Sequence, residues 1–197
     1  MRSMLSAIAC PLLPAVLFSL ALAGCASSRP MTTPKEPRRL LFIGDSFTFC
    51  NGGIWNHIRE LAATAKSPRT IVADSETKGG APLRVLFGRK AVHEKIQGGY
   101  DVVILQDDIP EYKEHSAAPF FDYATRFNDE IGKAGSQTVL FMAWSYERLN
   151  WVTQAEIAQA HRTLSDKLRI PVAPVGLAFE RSLKKRPSLA MLGPDKE

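Results

Sequence analysis

The sequence predicts an α/β fold, a three-layer α/β/α sandwich around a mainly parallel five-stranded sheet. Three observations carry that expectation. Short apolar runs alternate with segments of helical periodicity beyond residue 38. Two of the runs, Val102-Val103-Ile104-Leu105 and Val139-Leu140-Phe141-Met142, are continuously apolar, as strands covered on both faces are. The order is strand then helix throughout, without an internal repeat, which puts helices on both sides of a parallel sheet.

The strand candidates are residues 39–43, 70–74, 101–105, 138–143 and 171–175, and the helix candidates are 54–65, 82–97, 119–134 and 153–168. In the first helix Ile54, Ile58, Leu61 and Ala65 fall at helical spacing, with Arg59, Glu60 and Lys66 off that face.

Composition bounds the chain to one globular domain: 197 residues, 45% hydrophobic and 23% charged, enough to bury a core of useful size. The net charge of +5 is spread out, in short clusters such as Arg38-Arg39 and Lys184-Lys185-Arg186. No long basic run interleaves with aromatics, so no nucleic-acid partner is expected and an anionic surface is only weakly indicated. The four histidines, His57, His93, His115 and His161, are scattered and lack the paired spacings of zinc sites, so neither a metal nor a cofactor is expected.

The amino terminus reads as a targeting segment. Arg2 is the only charge before Arg29, residues 4–22 are apolar or small, and Pro11 and Pro14 fit a spanning helix poorly. Leu22-Ala23-Gly24-Cys25 resembles the lipobox of bacterial lipoproteins. That resemblance implies a signal peptide over residues 1–24, cleavage before Cys25 and a diacylglyceryl group on its sulfur. With Ala26 rather than aspartate next, it implies anchoring in an outer membrane. Residues 26–39, ASSRPMTTPKEPRR, carry three prolines and no apolar periodicity. They form a tether of about 45 Å when extended. The organisation expected is therefore signal peptide 1–24, lipidated cysteine and tether 25–38, and folded domain 39–197. An acylated Cys25 leaves Cys50 without a disulfide partner, and Cys50 is expected to be a small buried hydrophobe.

The chemistry centres on Leu40-Leu41-Phe42-Ile43-Gly44-Asp45-Ser46-Phe47-Thr48, an apolar strand that stops at Gly-Asp-Ser and enters a helical pattern. Ser46 then stands at a strand's carboxyl end, where open α/β sheets keep their ligand crevice. A serine needs a base to take its proton and donors for the oxyanion of a tetrahedral intermediate. Ser46 can offer its own N–H. The second strand runs out into Ser75-Glu76-Thr77-Lys78-Gly79-Gly80, where glycines let backbone N–H groups approach a ligand. The third ends in Gln106-Asp107-Asp108, where a side-chain amide is a further donor.

Four ordered blocks, Gly44-Asp45-Ser46-Phe47-Thr48, Gly79-Gly80, Val103-Ile104-Leu105-Gln106 and Pro171-Val172-Ala173-Pro174-Val175-Gly176, resemble the SGNH or GDSL-type serine hydrolases. The resemblance covers residues 40–197 and implies a flavodoxin-like sheet and hydrolysis of ester bonds through an acyl-serine, with no metal or nucleotide. It implies Ser46 as nucleophile, Gly79 or Gly80 as oxyanion donor, and Gln106 in place of the family's asparagine. One alignment puts Asp108 in that asparagine position instead, where an ionised carboxylate could not donate. The family draws its acid and base from a late Asp-x-x-His. No histidine here has an aspartate three positions before it, yet the sequence ends Asp195-Lys196-Glu197. The resemblance thus implies Asp195 as triad acid, with its histidine at the next position beyond the sequence given, which would leave these 197 residues nearly inert.

Plainer roles are expected alongside. Asp45 bonds backbone within its turn. Asn51 either caps the helix starting near Gly53 or orients the nucleophile loop, and the cap is favoured. Trp144 and Tyr146 either line a pocket or pack. The histidines are solvated helix or loop residues. A Gly-x-Ser-x-Gly hydrolase is disfavoured because Thr48 stands where the second glycine belongs. The expected activity is that of a monomeric, membrane-tethered esterase or deacylase acting on O-acyl groups, acetyl among them, of small molecules or glycans. The alternative is a catalytically silent lipoprotein that binds glycans in the same crevice.

Overall fold

A computed structural model describes residues 39–109, 112, 116–146 and 149–189. The expected signal peptide, Cys25, the tether up to residue 38, and Asp195 lie outside these residues. Five strands, β1 (Arg39–Gly44), β2 (Val72–Thr77), β3 (Val102–Leu105), β4 (Gln137–Phe141) and β5 (Val172–Ala173), form one sheet in the order β2-β1-β3-β4-β5, every pair parallel. The predicted α/β sandwich is the observed one.

β1 runs through the middle of the molecule, pairing with β2 on one side and β3 on the other. Its apolar stretch Leu40-Leu41-Phe42-Ile43 is buried on both faces. At about 1.5–3 kcal/mol per buried large apolar side chain, this strand is a main contributor to the core. Among the described residues six helices lie between strands, α1 (Ser46–Phe49), α2 (Ile54–Thr64), α3 (Leu83–Phe87), α4 (Lys90–Ile96), α5 (Ala118–Lys133) and α6 (Gln154–Leu168), and α7 (Val175–Lys185) follows β5. Right-handed crossovers place α2 on the face opposite α3 to α6. α5 buries Phe120, Ala124, Phe127 and Ile131, a stripe of helical period. α6 opens on a capping box in which Thr153 and Glu156 each bond the other's backbone N–H, an arrangement visible in the Thr-x-x-Glu spacing.

The structure corrects several boundaries. The single helix expected over 82–97 is two, α3 and α4, broken where Gly88 caps the first and Arg89 turns extended. The Phe87 ring packs edge-on against Phe127 and His93 across the break. Strand β2 begins later than residue 70 and continues to Thr77, because its register follows β1 from Arg39↔Val72 to Gly44↔Thr77. Its polar half is tolerable at the sheet's edge because partners stand beside it. Asp74 accepts from Lys95 Nζ at 3.1 Å and Tyr100 OH at 2.9 Å, which holds its carboxyl below the ordinary range against the pull of burial, and Glu76 pairs with Arg89. β5 is only Val172–Ala173, and Val175, expected in that strand, instead opens α7, a helix the pattern of apolar runs did not mark.

Candidate active site

The chain turns out of β1 at Gly44, and the reason for glycine is close approach. A Cβ there would overlap Thr48 Oγ1 and Gln106 Oε1. Both groups belong to one knot: Gln106 Oε1 accepts from the Asp45 N–H at 2.9 Å and from the Thr48 hydroxyl at 2.8 Å, while its Nε2 donates to the Asp107 carbonyl. Gln106, 1% exposed, therefore joins the end of β3 to the Ser46 turn. Its oxygen is engaged in scaffolding, while its Nε2 spends one N–H on Asp107 and keeps a second, so the oxyanion-donor role expected for it retains one hydrogen.

Asp45 is fully buried and caps α1, its Oδ1 accepting from the Phe47 N–H at 3.0 Å, the in-turn bond the sequence led one to expect. Its Oδ2 is buried and meets no donor, with the Asp108 carboxyl as its neighbour. Burial first, and the adjacent Asp108 charge second, push the Asp45 carboxyl up to about 8 against the opposing Phe47 and Gln106 bonds. Both causes favour the protonated form of the Asp45 carboxyl.

Ser46 is half-buried at the first position of α1. Among the described residues neither its hydroxyl nor its N–H has a hydrogen-bond partner. Across from it, Lys78 N–H bonds Gly44 O at 3.1 Å, so residues 79 and 80 follow directly on the β1–β2 register. The Ala81 N–H closes a turn onto Lys78 O at 3.2 Å, with Gly80 at φ +60. Gly80 is the residue that turn demands. The N–H groups of Gly79 and Gly80 likewise donate to no described residue. The turn is tied to β3 from the other side, since Asp107 Oδ1 accepts the Leu83 N–H at 2.6 Å and so caps α3.

Three N–H groups and a hydroxyl without partners among the described residues thus gather at the carboxyl end of β1, the strand from which the chain moves to one side for β2 and to the other for β3. This is the topological switch point at which such sheets bind ligands. Solved structures share the arrangement of elements. An acetyl xylan esterase variant from Geobacillus stearothermophilus superposes with a TM-score of 0.64 at 18% identity, covering 81% of this chain and 85% of that one. A lipase/acylhydrolase from Enterococcus faecalis gives 0.61 at 13% identity, with the same coverages of 81% and 85%. A protein from Slackia heliotrinireducens assigned as an SGNH hydrolase gives 0.56 at 18% identity, covering 73% and 82%. The chain has the SGNH-hydrolase fold. No protein-family profile and no curated protein sequence matches it.

Within this SGNH-type fold the other expected residues sort clearly. Trp144 and Tyr146 pack: Trp144 meets Phe47 edge-on at 4.7 Å and stacks on Phe179 at 4.9 Å, and Tyr146 is buried 5.8 Å from Phe47. They brace the residue after Ser46 against β4 and α7. Cys50 is exposed, not buried as expected, because the 3-10 turn Cys50–Gly52 lifts it off the core. Asn51 is not a helix cap. It sits in the left-handed region at φ 56, and the cap of α2 is Gly53, with no side-chain bond.

The histidines correct another expectation. His57 is exposed, bonding the Asn51 carbonyl at 2.7 Å. His93, half-buried, is held by the Phe87 carbonyl and Glu130, which outweigh burial and raise its pKa above the ordinary value. His161 is buried on α6 against Phe120, and burial lowers it to about 4 despite the Ile157 and Phe141 carbonyls. None of these three bonds Ser46 or Asp45. His115 lies outside the described residues.

Sequence reasoning missed Gln154. It is buried at the start of α6, accepting the Ser145 N–H at 2.8 Å and donating to Ala143 O. A Cβ on Gly176, the last residue of the late block, would overlap Gln154 and Ala143 O. That explains the glycine: α7 starts against the end of β4, its Gly176 N–H bonding Met142 O at 2.9 Å. A cavity of about 250 Å³ lies elsewhere, between α5 and α6, lined by Tyr112, Phe121, Val152 and Thr163, with no residue of the Ser46 turn in its wall.

Proposed function

We propose that this chain belongs to the SGNH serine hydrolases and is an esterase or deacylase that cleaves O-acyl groups, acetyl among them, through an acyl-Ser46 intermediate. The observation that carries the reading is the unbonded Ser46 hydroxyl flanked by the unbonded N–H groups of Ser46, Gly79 and Gly80 at the switch point. Ser46 Oγ attacks the ester carbonyl carbon, and the carbonyl oxygen takes the negative charge into those N–H groups. The acyl-serine forms as the C–O bond to the alcohol breaks, and water then releases the acid. The proton taken from Ser46 needs a base, and the described histidines do not supply it. Asp195 is the proposed acid that orients an imidazole. The esterase and lipase relatives in fold support ester hydrolysis in general, and acetyl esters in particular are this chain's proposal.

The chain is further proposed to be a lipoprotein tethered through Cys25 to the outer membrane of a bacterium, acting as a monomer on small-molecule or glycan esters. The second reading, a silent glycan-binding lipoprotein, is favoured by the described imidazoles' bonding to Asn51, Glu130 and Ile157 and not to Ser46.

An aryl acetate assay with added imidazole separates the two. Imidazole stands in for the base that the described residues do not supply, so the esterase reading expects hydrolysis above the imidazole background that vanishes in Ser46→Ala. Identical rates for the two proteins overturn it.

A further inference from the structure

We propose that the pole formed by the amino ends of the strands is a docking surface for a bilayer of anionic phospholipid, which holds the Ser46 crevice facing away from that bilayer. The biological setting rests on the proposed lipid anchor, whereas the surface is a property of the described fold.

In an all-parallel sheet every returning helix ends at the same pole. Basic residues collect there. The α2–β2 connection carries Lys66 and Arg69, α6 ends on Lys167 and Arg169, and α7 runs out through Lys184-Lys185-Arg186, all exposed. The acids at this level are largely occupied. Asp101 accepts the Arg39 N–H at 2.9 Å, Glu130 holds His93 at 2.8 Å and Glu180 pairs with Lys184 at 3.1 Å, while Asp129 and Asp166 stand exposed. Among the described residues, exposed basic side chains therefore outnumber exposed acidic ones at this end.

Helix dipoles account for part of this, since a lysine in a last turn offsets the negative carboxyl end. They do not account for Lys66, which lies beyond the end of α2. Nor do they require Arg169 to occupy the left-handed cap of α6 at φ 57, a place glycine fills at less cost. The chain meets the fold at Arg39, on this same pole, so residues 25–38 attach here. An acyl chain on Cys25 brings this end, and not the crevice, to within a tether's length of the headgroups. A diacylglyceryl group carries two acyl chains and suffices for attachment, so the basic patch sets which end of the domain faces the bilayer. With β1 six residues long, the crevice stands about 20 Å above the basic pole.

The test is co-sedimentation with vesicles. The protein is the chain from Cys25 to Glu197, which contains the whole compact unit Glu36–Glu197, with Cys25→Ser so that no acyl chain is attached. Vesicles of phosphatidylcholine with phosphatidylglycerol should bind it at low salt, vesicles of phosphatidylcholine alone should not, and salt should release it. Reversing four charges on the pole (Lys167→Glu, Arg169→Glu, Lys184→Glu, Lys185→Glu) should weaken binding by more than about tenfold. Reversing Lys78 and Lys90 at the other end should change it little. Equal loss in the two variants, equal binding to both lipids, or no binding at all overturns the proposal. Because no substrate is involved, any of these results leaves the esterase reading standing, and a failed esterase assay leaves the docking surface standing.

Discussion

Asp45 and Asp108 place two carboxyl groups side by side in the interior next to Ser46, and both are buried. Two such charges cannot both be ionised there at low cost, so the pair keeps a proton. Asp45, with its pKa raised from 3.8 to about 8, binds that proton more tightly folded than unfolded. The stabilisation is complete below the unfolded value and is lost as pH rises toward 8. Thermal midpoints should therefore fall between pH 5 and pH 9. Asp108→Asn puts an amide donor against Asp45 and should flatten the fall, whereas an unchanged slope in the variant would refute the shared proton.

His161 acts in the opposite sense. Lowered to about 4 by burial, it resists a proton that the unfolded chain accepts near 6.5. Its contribution is present above 6.5 and is lost as pH falls toward 4. In His161→Leu the acid limb of the thermal-midpoint profile should become shallower, while the alkaline limb set by Asp45 and Asp108 stays.

Gly44→Ala drives a methyl group into Thr48 Oγ1 and Gln106 Oε1. Urea denaturation should show a loss of about 1–3 kcal/mol, typical of overpacking a close-fitted interior. Thr48→Val removes only one hydrogen bond to Gln106 and should cost about 1 kcal/mol.

Gly79 and Gly80 should separate cleanly. Gly80→Ala strains a residue held at φ +60, at about 1 kcal/mol, and turns an oxyanion N–H; on the esterase reading the acyl-transfer rate falls up to about 100-fold. Gly79→Ala meets only the Phe49 ring at an ordinary 3.6 Å and should leave stability within about 0.5 kcal/mol.

Gln154→Ala strips a buried partner from the Ser145 N–H and should destabilise by about 1–3 kcal/mol in the same denaturation assay. A value near zero would mean that the β4–α6 corner is not held as described.

Much of this was written locally along the chain. Apolar runs marked β1, β3 and β4 because strands buried on both faces admit little else, and an apolar stripe marked α5 because its face meets the core; the stripe read in α2 is only partly covered, with Ile54 and Ile58 half-buried but Leu61 69% exposed and Ala65 exposed. Gly-Asp-Ser after β1 located the turn, and Gly79-Gly80 located its neighbour, since strand order in a parallel sheet carries both to one end. The polar β2 was harder to read: Asp74 and Glu76 are acceptable in a strand only because Lys95, Tyr100 and Arg89 come to them from elsewhere.

By itself, then, the sequence determined the fold class and the place of Ser46, because periodicity and turn chemistry act over a few residues. What only the tertiary structure decided is how distant groups divide the work. Gln106 spends its amide oxygen on Asp45 and Thr48, some 60 residues away, and Asp45 meets Asp108 across the β1–β3 junction. Gly176 yields its side-chain space to Gln154. These roles depend on hydrogen bonds and contacts between strands brought together by the sheet, and no spacing along the chain encodes which of several polar neighbours will arrive first.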